Sequence, residues 1–115
     1  MVRGILAATV AGVVSACAQG GPSPVVMDEY TYEPNRIVVP ADTPGYELTL
    51  ENAGTLPHDF SVEGLPVDTP VHLAVLPGGR APYPLPGLPA GEYTIYCGIE
   101  DHRALGMTAT LEVRP

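Results

Sequence analysis

The stretch YCGIEDHRALGM, residues 96–107, places Cys97, His102 and Met107 at intervals of five, and a second histidine, His58, lies upstream in NAGTLPHDFSV. Thiolate and thioether are soft donors that suit Cu(I), whereas imidazole suits both Cu(I) and Cu(II). Two imidazoles, one thiolate and a weak axial thioether satisfy neither ion fully, so little has to move when an electron arrives or leaves. Zinc fits less well, because structural zinc sites rarely take methionine and use more thiolates. Cys–His nucleophilic catalysis needs an open substrate site and an orienting third group. Each residue also has an ordinary reading: Met107 as core filling, His102 as a loop residue, His58 as an inward, hydrogen-bonded histidine. The combination carries the claim.

Cys97 is the residue that most needs explaining, because the chain reads as exported. Residues 1–16 carry a positive start at Arg3, an apolar run and small residues near its end. That run is shorter than the roughly 20 residues a spanning helix needs and reads as a secretory signal. Val14-Ser15-Ala16-Cys17 resembles the bacterial lipobox, in which the cysteine is acylated and becomes the mature N-terminus. Cleavage after Ala18 is the competing reading, since Ala16-Cys17-Ala18 is also an A-x-A site. Either cleavage leaves Cys97 as the one thiol of the mature domain. Outside the cytoplasm such a thiol needs protection by burial or metal ligation.

The elements that must position these side chains are strands. Lipidated Cys17 and the tether end at residue 24, and the domain runs over 25–115. There, 14 prolines and 13 glycines across the whole chain punctuate short alternating segments. Candidate strands are VVMDEYTYEP, RIVVPAD, YELTLEN, HDFSVEG, VHLAVL, EYTIYC and MTATLEV. In HDFSVEG, His58, Phe60 and Val62 share the inward face, with Asp59, Ser61 and Glu63 opposite. Tyr93, Ile95 and Cys97 share a face, as do Met107, Ala109, Leu111 and Val113. In APYPLPGLP, prolines at 82, 84 and 86 forbid a central strand but suit an edge. About seven or eight such strands predict an all-β fold, a two-sheet antiparallel Greek-key sandwich. If the last two strands are antiparallel neighbours, Cys97 and Met107 lie at one end of it, with His102 carried over that end by the loop 98–106. Only His58 must be brought there by tertiary structure.

These motifs resemble those of cupredoxins, the small type 1 (blue) copper proteins. The matching residues are His58, Cys97, His102 and Met107, and the C-x4-H-x4-M spacing is most similar to auracyanin. Plastocyanin has a shorter first gap and azurin a shorter second one. Asp101 stands where a binuclear copper centre would need a second thiolate. The resemblance implies one copper ion, with Met107 axial, in a single-electron carrier that is not itself an enzyme. It implies that Asp59, where the family often has asparagine, ties the His58 loop to the Cys97 loop. It implies that electrons pass at the edge of His102, framed by Pro57, Ala104 and Leu105. Partners would be redox proteins, a cytochrome or an oxidase, met by a monomer lipid-anchored on the periplasmic or extracytoplasmic face of a prokaryotic membrane.

The net charge of −8, with five arginines and no lysine, argues against nucleic acid and allows a basic protein partner. His72 has no companion at ligand spacing and reads as a surface residue; Met27 reads as packing, and Glu100 and Asp101 as solvated loop charges. Two rival functions stay open. Copper delivery to an oxidase under assembly would favour exposed, exchangeable ligands. A metal-free adhesive sandwich would make the spacing a coincidence.

Overall fold

A computed structural model describes residues 23–115. The signal segment, Cys17 and most of the tether lie outside the described residues. Nine strands follow in order: β1 (Val25–Asp28), β2 (Thr31–Glu33), β3 (Arg36–Pro40), β4 (Glu47–Asn52), β5 (His58–Glu63), β6 (Val71–Val75), β7 (Arg80–Pro84), β8 (Gly91–Tyr96) and β9 (Thr108–Arg114). They form one sheet of order β2-β1-β4-β7 and another of order β3-β9-β8-β5-β6. The inner faces pack together around Met27, Leu50, Phe60, Ile95 and Leu111, all fully buried. Phe60 of the second sheet meets Tyr32 and Tyr83 of the first edge-on, at centroid distances of 6.2 and 6.4 Å. This is the favourable geometry for aromatic rings.

The all-β sandwich is as expected, and three details differ. VVMDEYTYEP is two strands, because the chain turns at Glu29–Tyr30 and β2 folds back antiparallel on β1. The sheets are also mixed: β1 runs parallel to β4, and β3 parallel to β9. Parallel neighbours cannot be joined by a tight hairpin, so these pairings unite distant parts of the chain and leave little local trace in the sequence. Finally, Asp59 and Ser61 were expected on the open face of β5 but are buried, at 3 and 6% exposure. Strand β5 is flanked by β6 and β8, and Ser61 stands opposite both His72 and Tyr96, so neighbouring side chains cover that face. The proline-rich β7 is an edge strand paired only with β4, with Pro82 opposite Thr49 and Pro84 opposite Glu47.

Candidate metal centre

Three strand ends and one loop converge at one end of the sandwich. His58 opens β5, Cys97 follows the last residue of β8, and Met107 precedes the first of β9. The β8–β9 ladder fixes the last two relative to each other, and the Cys97 N–H extends it by donating to the Met107 carbonyl at 3.2 Å. Between them the loop coils back on itself. The Leu105 and Met107 N–H groups both donate to the His102 carbonyl, at 3.1 Å, and the Gly106 N–H donates to Arg103 O at 3.0 Å. Gly106 closes this coil at φ +106°, a conformation open to glycine and strained for other residues. The imidazole of His102 is thereby turned inward and is 3% exposed, so this loop histidine has almost no open edge.

His58, Cys97 and His102 each offer a ligand atom, and these atoms lie within 4.8 Å of one another. Cys97 Sγ is 3.5 Å from His102 Nδ1, and the Asp59 N–H points at the same sulfur from 3.4 Å. Cys97 and Met107 are fully buried, and Cys97 is a free thiol. Burial raises the Cys97 thiol above its ordinary range, while the Asp59 and Ile99 N–H groups pull the other way. A metal ion therefore has to displace a proton to take this sulfur.

The most telling atom is His58 Nδ1. Among the described residues it is the one buried side-chain nitrogen or oxygen without a hydrogen-bond partner. Its ring partner Nε2 lies 2.9 Å from Glu29 Oε1. Because a carboxylate only accepts, Nε2 carries a proton, and in the neutral imidazole Nδ1 is then left with a bare lone pair beside the Cys97 and His102 donors. Orphaned buried polar atoms are rare and costly; a metal-ligand position would account for this one. The arrangement of His58, Cys97, His102 and Met107 is consistent with one copper ion.

The surrounding hydrogen bonds hold this cluster in place. Asp59 Oδ1 accepts from the Gly98 N–H at 2.8 Å and from Ser61 Oγ at 3.1 Å, linking β5 to the loop after Cys97. The Asp59 carbonyl accepts from the buried Tyr32 hydroxyl at 2.6 Å. His72 is half exposed, as a surface residue should be, yet its Nδ1 also meets Ser61 Oγ at 2.9 Å and so touches this network. Met27 is core packing. On the other side, Asn52 donates to the Leu56 and Val75 carbonyls and accepts from the Gly54 N–H, each at 2.8 Å, which fixes the segment leading into His58.

Three contributors escaped sequence reading. Glu29 and Tyr30 lay within a presumed strand; instead their turn reaches the site, with Glu29 on His58 and the Tyr30 ring 5.0 Å from that of His102. The His58 hydrogen bond, above all, holds the Glu29 carboxyl below its usual range. The third is Gly54, whose lack of a side chain leaves room for that carboxylate. The Asn-Ala-Gly sequence signals a turn there, but nothing in it announces a glutamate arriving from elsewhere.

Comparison with known proteins agrees with this geometry. The family model described as a cupredoxin-like domain matches residues 4–108. No curated protein matches the chain. Among solved structures, auracyanin from Roseiflexus castenholzii superposes with a TM-score of 0.65 at 17% identity, over 84% of this chain and 100% of its own. An azurin from Methylomonas sp. strain J gives 0.65 at 17%, over 81% and 97%. The copper-containing nitrite reductase of Thermus scotoductus gives 0.56 at 19%, over 90% of this chain but only 25% of the enzyme. Identities this low speak for the fold alone. The family match spans most of the chain, however, and with the buried donor cluster at the sandwich end it makes this protein a member of the cupredoxin-like family.

Proposed function

We propose that the domain is a single-electron carrier built on a mononuclear type 1 copper site. His58 Nδ1, Cys97 Sγ and His102 Nδ1 are its strong ligands, with the Met107 thioether axial and Asp59 bracing the loops. The observation that carries this reading is the orphaned His58 Nδ1, aimed at a buried thiol and a second imidazole. Bound copper would supply the one-electron couple. The chain's own part is to hold the donors still, exclude water and offer a way in for an electron.

That way in is a nearly covered one. His102 is 3% exposed, and the exposed apolar side chains Leu56 and Leu105 ride on the two segments that carry His58 and His102. Together with Pro57 and Ala104 they are the face we assign to a redox partner, a cytochrome or an oxidase. Burial of all four donor residues speaks against copper delivery, which needs ligands a recipient can reach. An oxidase or reductase activity of its own would require further copper centres, and the described residues hold one donor cluster. We place the protein on the extracytoplasmic side of a prokaryotic membrane as a monomer, tethered through acylated Cys17. Cys17→Ala should then release it from the membrane fraction.

The test of the central claim is the visible spectrum of the soluble domain after addition of Cu(II). An intense thiolate-to-copper band is expected, bleached by reduction, restored by reoxidation without metal loss and absent in Cys97→Ser. Weak binding, or binding of Cu(I) only with no band, refutes the carrier reading.

A further inference from the structure

We propose that Glu29, which lies in neither ligand-bearing segment, is the positioning residue for His58: it holds the imidazole so that Nδ1 faces Cys97 and His102. The carboxylate accepts from His58 Nε2 at 2.9 Å. It also accepts from the Thr55 N–H at 2.9 Å, the Leu56 N–H at 3.2 Å and the Thr55 hydroxyl at 3.2 Å. With this many donors it cannot swing away without breaking several bonds together. It is therefore a fixed point for the ring and for the three residues before it.

The surrounding chain is shaped to admit it. A Cβ on residue 54 would stand 2.1 Å from Glu29 Oε1, closer than real Cβ atoms sustain, and 3.0 Å from His58 Nε2, a tight contact. Gly54 is thus what lets the Glu29 carboxylate keep this place; a side chain there would push it aside. The next residue along, Tyr30, packs its ring at 5.0 Å and 60° to His102, while the two histidine rings lie 5.0 Å apart. A single turn between β1 and β2 touches both imidazoles.

A carboxylate partner does more than a neutral acceptor would. It fixes the tautomer and, by its charge, makes the ligand more basic. On the copper reading, on which this part rests, that charge favours the oxidised metal. Partners of this kind are commonly worth 10- to 100-fold in metal affinity. Glu29→Gln keeps an acceptor but removes the charge, so the preference for Cu(II) over Cu(I) should fall about tenfold. For one electron that equals a rise in potential of about 59 mV.

The experiment has two arms. In the first, ¹⁵N spectra of the metal-free domain read the His58 tautomer, which needs no copper. Wild type and Glu29→Gln should show the Nε2–H form with a slowly exchanging proton. Glu29→Ala and Gly54→Ala should both show a mixture, the second with Glu29 still present but displaced. In the second arm, the copper-loaded Glu29→Gln domain should keep its thiolate-to-copper band at a higher potential. An unchanged tautomer in Glu29→Ala overturns the proposal, and so does an unchanged potential in Glu29→Gln when wild type shows the band. Should wild type show no band, the copper reading falls and the tautomer arm alone decides the role of Glu29. If Glu29→Ala does not fold, Gly54→Ala and Glu29→Gln settle the matter.

Discussion

Asn52→Ala should be among the most damaging substitutions outside the candidate donor cluster, although Asn52 hydrogen-bonds none of those donors. The side chain is 2% exposed and makes three hydrogen bonds. Truncation orphans the Val75 carbonyl in a fully buried setting, which costs about 2 kcal/mol. The Leu56 carbonyl and Gly54 N–H are part-buried, so water can reach them, and each lost bond there costs about 0.5 kcal/mol. The expected loss is about 3 kcal/mol, or about 15 °C in Tm for a domain of this size. Thermal and urea unfolding of the metal-free domain would measure it. Asn52→Asp separates hydrogen bonding from volume. It keeps the acceptor for Gly54 but turns a carboxylate oxygen on two carbonyls, so at pH 7 it should be at least as destabilising as alanine. A loss below about 1 kcal/mol in Asn52→Ala, or an aspartate milder than alanine, refutes the reasoning.

Tyr32 gives an alkaline signature. Burial, above all, pushes its hydroxyl far above the ordinary value of 10.0, so it stays protonated in the fold while the unfolded chain ionises. Its contribution is complete below pH 10 and is lost above it, at up to about 1.4 kcal/mol per pH unit. Tyr32→Phe should be the less stable protein at pH 7, for want of the bond to Asp59 O, and the gap should narrow as pH rises beyond 10; a constant gap refutes this. At the surface, Arg103 grips Glu63 through two 2.8 Å bonds and stacks over Tyr96 at 4.4 Å. The Arg103 hydrogen bonds hold the Glu63 carboxyl below its usual range. Its stabilisation is therefore present above the unfolded value and lost as pH falls through the depressed one. Both side chains are exposed, so Glu63→Gln should cost little at neutral pH and less still in high salt, by urea unfolding at two ionic strengths.

What was legible in the sequence was whatever period two could carry. Alternation in HDFSVEG, EYTIYC and MTATLEV put His58, Cys97 and Met107 on the inner face and at strand ends, where they lie. Proline spacing placed β7 at an edge. The failures concern contacts that no local pattern encodes. Asp59 and Ser61 obey the same alternation as Glu63, yet they are buried because β6 and β8 flank them, and pairing partners are not written in β5 itself. Glu29 looked like one more charge in an extended run. Its role depends on a turn, a parallel pairing of β1 with β4 and the absence of a Cβ at Gly54.

The same division shows what assembles the candidate site. Its candidate donors come from β5 and the 97–107 segment, and so from one sheet. Glu29, which bonds His58, comes from the β1–β2 turn of the other sheet, and Asn52, which fixes the segment leading into His58, from the end of its β4, with Gly54 just beyond. The imidazole is thus correctly turned only when the two sheets are packed, and the ligand geometry is a property of the closed sandwich. Closure buries His58 Nδ1 with no hydrogen-bond partner among the described residues, and a buried acceptor that nothing binds costs about 1–3 kcal/mol. An ion bound at that nitrogen, as proposed, would remove the penalty and would bind only the folded state. On the proposed copper reading, metal affinity and domain stability would be linked through this one atom, and residues that orient it would act on both.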